Sequence, residues 1–111
     1  MDKAKRKRLE AHGWKVGSAA EFLGLTPEEE TLIEIRLALA KSLRERRQER
    51  MTQAQLAKKL GSSQPRVAKA EGGDASVSME LLVRAMLATG ATPREIGKAI
   101  AVAGKAVRPG D

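Results

Sequence analysis

Residues 52–73, TQAQLAKKLGSSQPRVAKAEGG, constrain the fold more than any other stretch, because they predict two very short helices joined by a tight turn. Thr52 is typical of an N-cap, and Gln55 three residues later completes a capping box. Gly61 is the residue type that most readily ends a helix in the left-handed conformation. Helices of this length are unstable alone. Both must therefore pack on the rest of the chain.

The second short helix predicts an exposed polar surface. Ser62 or Ser63 caps it, and Pro65 falls in its first turn, where a missing N–H costs little. Helical spacing turns Val67 and Ala70 inward. The outward side chains are Gln64, Pro65, Arg66 and Lys69. Such a face suits a partner with acceptors and negative charge, and a helix fits the major groove of B-DNA. The alternative is a helical hairpin whose polar face is simply solvated.

The order of residues in this stretch, TQxxLAxxLGxSQxxVxxxExG, resembles the helix-turn-helix of the phage-repressor-like, XRE-type DNA-binding family. The resemblance implies that the second helix is the recognition helix for double-stranded DNA. The base contacts that it implies are Gln64, Pro65 and Lys69. The residues that it implies for DNA backbone contacts, or for bracing the recognition helix, are Thr52, Gln53, Ser62, Ser63 and Arg66.

Two details of the motif are specific to this chain. Pro65 stands where the family usually has a hydrogen-bonding residue, which limits readout there to apolar contact, for example with a thymine methyl group. Glu71 in this family often pairs with an arginine of the preceding helix. Arg46 and Arg47 both lie near that position, and the sequence leaves the choice between them open.

Length and composition predict one all-α domain. A chain of 111 residues supports a single core, strand signals are absent, and Ala, Leu, Lys, Arg and Glu dominate. We expect a compact five-helix helix-turn-helix domain over residues 26–104, with the motif at 52–73. Residues 1–25 are expected to form a basic N-terminal arm with a short helical or extended extension, and residues 105–111 a frayed tail.

Start signals predict the other helices. Thr26 and Pro27 open a helix expected to run to about Arg50, roughly 36 Å long. Ser78 caps another expected to reach Thr89, and Thr92 a last one. Leu32, Ile35, Leu39 and Leu43 form one apolar stripe on the long helix, and Ile33, Leu37 and Ala40 form a second. Two packing partners are therefore expected: the helix-turn-helix core, and either the N-terminal segment or a second subunit. In the later helices, the buried stripes are expected to be Leu81, Leu82, Ala85 and Met86, followed by Ile96, Ile100 and Ala103.

The net charge of +7, with a sequence pI near 10.1, favours a polyanionic partner. Residues 1–20 carry six positive and two negative charges, residues 51–73 carry four and one, and residues 21–50 carry six and seven. The excess lies on the arm and the motif. The arm is either a solvated tail or a contact to the DNA backbone, and such a contact adds affinity without sequence information.

Apolar side chains cluster just before the long helix: Trp14, Val16, Phe22, Leu23 and Leu25. The cluster includes the only Trp and the only Phe of the chain. They either pack on the core or form a docking surface for another protein. The layout GWKVG…EFLGLTPEE with LLVRAMLATGATPREI resembles that of HigA-like antitoxins of toxin–antitoxin operons. It implies autorepression, and binding of a small ribonuclease-type toxin by this cluster. Stand-alone repressors share the layout. A protein-interaction module without DNA binding is a third possibility. If the protein binds DNA, a homodimer is expected, because each recognition helix reads only one half-site.

Catalytic signals are missing from the sequence. The chain has no cysteine and one histidine, and it lacks the nucleophile and base pairing, the P-loop and the zinc patterns that common enzymes use. We therefore expect no enzymatic activity, no metal and no cofactor. No apolar run approaches membrane-spanning length, and the basic N-terminus lacks the apolar segment of a secretory signal. A cytoplasmic location without a membrane partner is the expectation.

Overall fold

The computed structural model describes residues 23–106, with side chains to residue 103. These residues form five α-helices. The helices are α1 Pro27–Arg50, α2 Gln53–Leu60, α3 Gln64–Glu71, α4 Met79–Ala88 and α5 Pro93–Ala106. The predicted all-α, five-helix class is confirmed. Of the predicted extension, residues 1–25, only residues 23–25 lie in the described range. Of the predicted tail, residues 105–111, the last five lie outside it, and residues 105 and 106 belong to α5.

The caps that the sequence predicts are formed. Thr26, Thr52 and Thr92 each accept a hydrogen bond from the backbone N–H three residues on, at 3.1–3.2 Å, and the Glu or Gln side chain at that position accepts the threonine N–H at 2.8–2.9 Å. Ser78 caps α4 through the N–H of Leu81 at 3.1 Å. Ser63, rather than Ser62, is the N-cap of α3. These bonds satisfy backbone donors that a helix start would otherwise leave without partners.

The core lies between α1 and the four shorter helices. α4 and α5 pack along α1, while α2 and α3 form a hairpin that packs on α4 and on α1. All four residues predicted for the α4 stripe are buried, as are Val67 and Ala70 on α3. The largest fully buried side chains are Leu39, Leu43, Leu56, Val77, Leu82 and Met86. The two helices of the hairpin have only eight residues each and would be unstable alone. Their packing on this core therefore stabilises them.

The apolar stripes predicted on α1 and α5 are only partly buried. On α1, Leu39 and Leu43 are fully buried, but Leu32 is 48% exposed and Leu37 is 52% exposed. On α5, Ile100 is 37% exposed although it was expected to line the core. The other members of the stripes divide similarly: Ala40, Ile96 and Ala103 are buried, Ile35 is half-buried, and Ile33 is 36% exposed. Within residues 23–106, the short helices cover only one side of the long α1.

Gly61 makes the turn of the hairpin possible. It ends α2 with φ +64° and ψ +34°, in the left-handed region that residues other than glycine rarely adopt. Its N–H bonds back to the carbonyl of Lys58, and the next N–H, of Ser62, donates to Ala57 at 2.9 Å. The chain therefore reverses within three residues and delivers Ser63 to the start of α3.

Candidate nucleic-acid interface

Helix α3 presents the polar face that the sequence predicts. Val67 and Ala70 are 2% exposed and attach the helix to the core. Pro65 lies in the first turn, where it removes no intrahelical hydrogen bond. The side chains on the outward face are all exposed: Gln64, Pro65, Arg66 and Lys69. The structure therefore brings the three expected base-contacting residues, Gln64, Pro65 and Lys69, together on one solvent-facing surface.

A buried ion pair fixes the end of α3 to the long helix. Arg47 on α1 binds Glu71 in a bidentate manner, with Nε donating to Oε2 and a terminal nitrogen donating to Oε1 at 3.0 Å. The two side chains are only 13% and 4% exposed. Arg47 also donates to the carbonyl of Met51 at 3.2 Å. The partner of Glu71 is thus Arg47, while Arg46 pairs with Glu95 on α5.

The ion pair extends to the exposed face through two glutamine side chains. Gln53, the first residue of α2, donates from Nε2 to Oε1 of Glu71 at 3.1 Å. Its own Oε1 accepts a hydrogen bond from Nε2 of Gln64, the first residue of α3, at 2.7 Å. We call this series Arg47, Glu71, Gln53 and Gln64 the polar chain. It connects α1, α2 and α3, and Gln53 links the start of α2 to both ends of α3 within it.

The remaining backbone or bracing candidates lie where the two short helices begin. Thr52 and Ser63 are exposed N-caps, and Ser63 Oγ accepts the N–H of Arg66 at 3.3 Å. Ser62 is half-buried in the turn. A shallow cleft of about 830 Å³ lies beside these helix starts and includes Thr52, Gln53 and Gln64 in its lining. The lining thus includes residues from the first turns of both α2 and α3, and a helix N-terminus favours negatively charged groups.

Three side chains make long-range polar contacts that the sequence did not predict. Arg36 donates to the carbonyls of Asp74, at 3.3 Å, and of Val77, and so fixes the loop after α3 to α1. Arg46 reaches Glu95, which is 49 positions away in the chain. Lys59 donates to the carbonyl of Ala88 at 3.3 Å. The long sequence separations give no local signal for these contacts.

Local hydrogen bonds shift the acidity of carboxyl groups at two helix starts and in the loop. The N–H of Thr92, the guanidinium of Arg46 and the hydroxyl of Thr92 lower the pKa of Glu95 from 4.5 to about 2. The N–H and hydroxyl of Thr26 lower the pKa of Glu29. The pKa of Asp74 is lowered mainly by hydrogen bonds from Ser76. Each carboxylate is stabilised in its charged form by the structure around it.

Most of the apolar cluster expected to bind a partner lies outside the described residues. Trp14, Val16 and Phe22 belong to that part of the chain. Leu23 is 40% exposed, and Leu25 is half-buried. The role of this cluster stays a prediction.

The sequence motif, the geometry of α2 and α3 and a family comparison all indicate a helix-turn-helix. The family profile described as helix-turn-helix matches residues 41–96, just over half of the 111 residues. The chain belongs to the XRE-type helix-turn-helix family. No curated protein and no solved structure matches it. As an XRE-type protein, it is a DNA-binding regulator, and its family is not one of enzymes.

The described residues 23–106 of this XRE-type chain contain neither a membrane-spanning helix nor a cluster of metal ligands. In that range, no helix is both long and apolar enough to span a bilayer. The same residues bring together no group of three or more His, Cys, Asp or Glu side chains that could hold a metal ion.

Proposed function

We propose that this XRE-type protein is a sequence-specific transcriptional repressor that binds its operator as a homodimer. The observation that supports this proposal best is the exposed face of α3, which is held by a buried ion pair and a glutamine brace. A rigid helix with outward polar side chains is the arrangement that reads base edges in a major groove. Rigidity matters because a base contact discriminates only when its donor and acceptor positions are fixed.

Each outward residue of α3 has a distinct chemistry for DNA. Gln64 can pair with adenine through one donor and one acceptor, and Lys69 can donate to the acceptors of guanine. Pro65 offers an apolar surface to a thymine methyl group. Arg66, together with the helix starts at Thr52 and Ser63, would make phosphate contacts, which position the protein without specifying sequence.

The homodimer follows from the small number of bases that one recognition helix reads. Two copies related by a twofold axis would read two half-sites about one helical turn, or roughly 34 Å, apart. The expected operator is therefore an imperfect palindrome. Sedimentation of the free protein and of the complex gives the number of subunits in each.

Selection from random duplexes at about physiological salt tests the proposal. The expected result is enrichment of one palindromic sequence, with two protein copies bound to each duplex. Enrichment of no sequence would contradict sequence-specific repression. Loss of all salt-dependent duplex binding would favour the remaining alternative, a protein-interaction module that does not use DNA.

A second candidate function is that of an autorepressing antitoxin in a type II toxin–antitoxin pair. The observation that favours it is the apolar surface at the start of the described chain, where Leu23 is 40% exposed and Leu32 is 48% exposed. Together with Trp14 and Phe22 in the sequence, this surface suits a protein partner such as a small ribonuclease-type toxin.

Co-expression with the product of the adjacent gene distinguishes the antitoxin from a stand-alone repressor. An antitoxin would co-purify with that product, relieve its toxicity and repress a reporter driven by its own promoter. Trp14→Ala should weaken co-purification and leave operator binding unchanged. Absence of a stable complex would leave the stand-alone repressor as the function.

A further inference from the structure

We infer that Glu71 is a positioning residue that sets which way the amide of Gln64 points, although Glu71 itself is buried and lies at the opposite end of α3. The inference rests on the proposed sequence-specific function, since it concerns how Gln64 reads a base. It is carried by the two hydrogen bonds of the polar chain, from Gln53 to Glu71 at 3.1 Å and from Gln64 to Gln53 at 2.7 Å.

The first step is the direction of the Gln53 amide. An amide has a donor end and an acceptor end of almost equal size, so packing alone does not orient it. A carboxylate paired with a guanidinium accepts hydrogen bonds and has no proton to donate. Glu71, held by Arg47, therefore requires the NH₂ end of Gln53. The oxygen of Gln53 must then face the other way, towards Gln64.

The second step transfers this orientation to the exposed face. Because Gln53 offers an oxygen, Gln64 must approach it with its own NH₂ group. One N–H and the oxygen of Gln64 remain for a base. If the amides of Gln53 and Gln64 were both flipped, the donor and the acceptor that Gln64 presents to a base would exchange positions. Adenine needs them in one order, with the acceptor facing N6 and the donor facing N7. Glu71 thus selects the base without touching DNA.

The Glu71→Gln variant tests the inference because glutamine accepts either orientation of Gln53. The substitution also removes the negative charge that pairs with the buried Arg47, which weakens the α1–α3 contact. A loss of specificity alone would therefore not show the mechanism. Gln53→Ala supplies the control, since it interrupts the polar chain between Glu71 and Gln64. Glu71→Gln is therefore made both in the wild-type background and in the Gln53→Ala background, and folding is checked by thermal unfolding.

The first measurement uses the free protein and needs no DNA. Side-chain amide signals of Gln64 are recorded by NMR in all four proteins. Glu71→Gln is expected to shift the Gln64 signals when Gln53 is present and to leave them in place when Gln53 is alanine. Equal shifts in both backgrounds would overturn the inference, because the effect would then come from movement of α3. Unchanged Gln64 signals in a folded Glu71→Gln protein would overturn it as well.

The second measurement compares duplexes that differ at the base pair read by Gln64. The wild type is expected to prefer adenine there by roughly 5- to 150-fold, the range of one bidentate pair. Glu71→Gln should lose about threefold or more of that preference with Gln53 present and none with Gln53→Ala. A full preference in Glu71→Gln would overturn the inference. A wild type that prefers no sequence would refute the proposed function, and the NMR result would then decide the orientation by itself.

Discussion

Gln64 and Lys69 are exposed side chains on a helix that the core holds rigidly, so replacing them should change recognition without unfolding the protein. Gln64→Ala and Lys69→Ala are each expected to lower discrimination between operator and mismatched sites by about 1–3 kcal/mol per lost base contact. Titration of both duplexes at one salt concentration measures the difference.

Lys98→Ala is the matched control for Lys69→Ala, because it removes the same charge from an exposed position on α5. It should lower affinity for all duplexes slightly and equally. If Lys98→Ala changed discrimination as much as Lys69→Ala, the base-contacting role of Lys69 would be wrong.

Glu95 predicts how stability depends on pH at the acidic end. Its pKa in the folded protein is about 2, below the ordinary 4.5. A lowered pKa means that the folded state favours the charged carboxylate, so the stabilisation is present above pH 4.5 and is lost as the pH falls towards 2. Urea unfolding between pH 6 and pH 2 should show a falling midpoint. Glu95→Gln should reduce this dependence but not abolish it, because Glu29 and Asp74 also have lowered pKa values.

At the scale of elements, the turn between α2 and α3 depends on one backbone conformation. Gly61→Ala is expected to destabilise the protein by about 1–2 kcal/mol, because alanine is strained at positive φ. Gly97→Ala is the matched control. Gly97 lies inside α5 with no atom near its missing side chain, so alanine there should stabilise by about 0.5–1 kcal/mol. Opposite signs in denaturant unfolding are the expected outcome, and equal signs would contradict the role given to Gly61.

Helix boundaries were predictable because they depend on neighbours in the sequence. Each threonine capping box involves two residues three positions apart, and the structure forms all three in the described range. The ion-pair partners were not predictable in the same way. Arg46 and Arg47 are adjacent and point about 100° apart on α1. Which one meets Glu71 depends on where α3 packs, and that is a property of the tertiary structure.

At the scale of the molecule, charge distribution predicts a role for the N-terminal arm. Removing residues 1–8 deletes most of the cations of that region and should weaken binding to all duplexes alike. The slope of affinity against salt should become shallower, because fewer counterions are released. An unchanged slope would remove the arm from the DNA contact. Discrimination between operator and mismatched sites should stay the same, which separates this effect from that of Gln64.

The amount of core that each helix receives was the least predictable feature. Periodicity identified apolar stripes on α1 and α5, but not which members the neighbouring helices would cover. Leu39 and Leu43 meet the core, whereas Leu37 stays half outside it. A stripe shows which side of a helix is apolar, while coverage depends on the length and position of its partners. The long α1 extends beyond its short neighbours within the described chain.

The attachment of α3 to the rest of the protein uses few side chains. Val67, Ala70 and Glu71 are its buried residues, and Pro65, Arg66 and Lys69 are exposed. Gln64 is also exposed, but it is linked to Glu71 through Gln53. Sequence preference can therefore diverge between descendants of one ancestral gene by changes at Pro65, Arg66 and Lys69, with little cost in stability. For protein engineering, new residues can be introduced at these three positions while Val67, Ala70 and Glu71 are kept. A new residue at position 64 would have to be chosen together with Gln53.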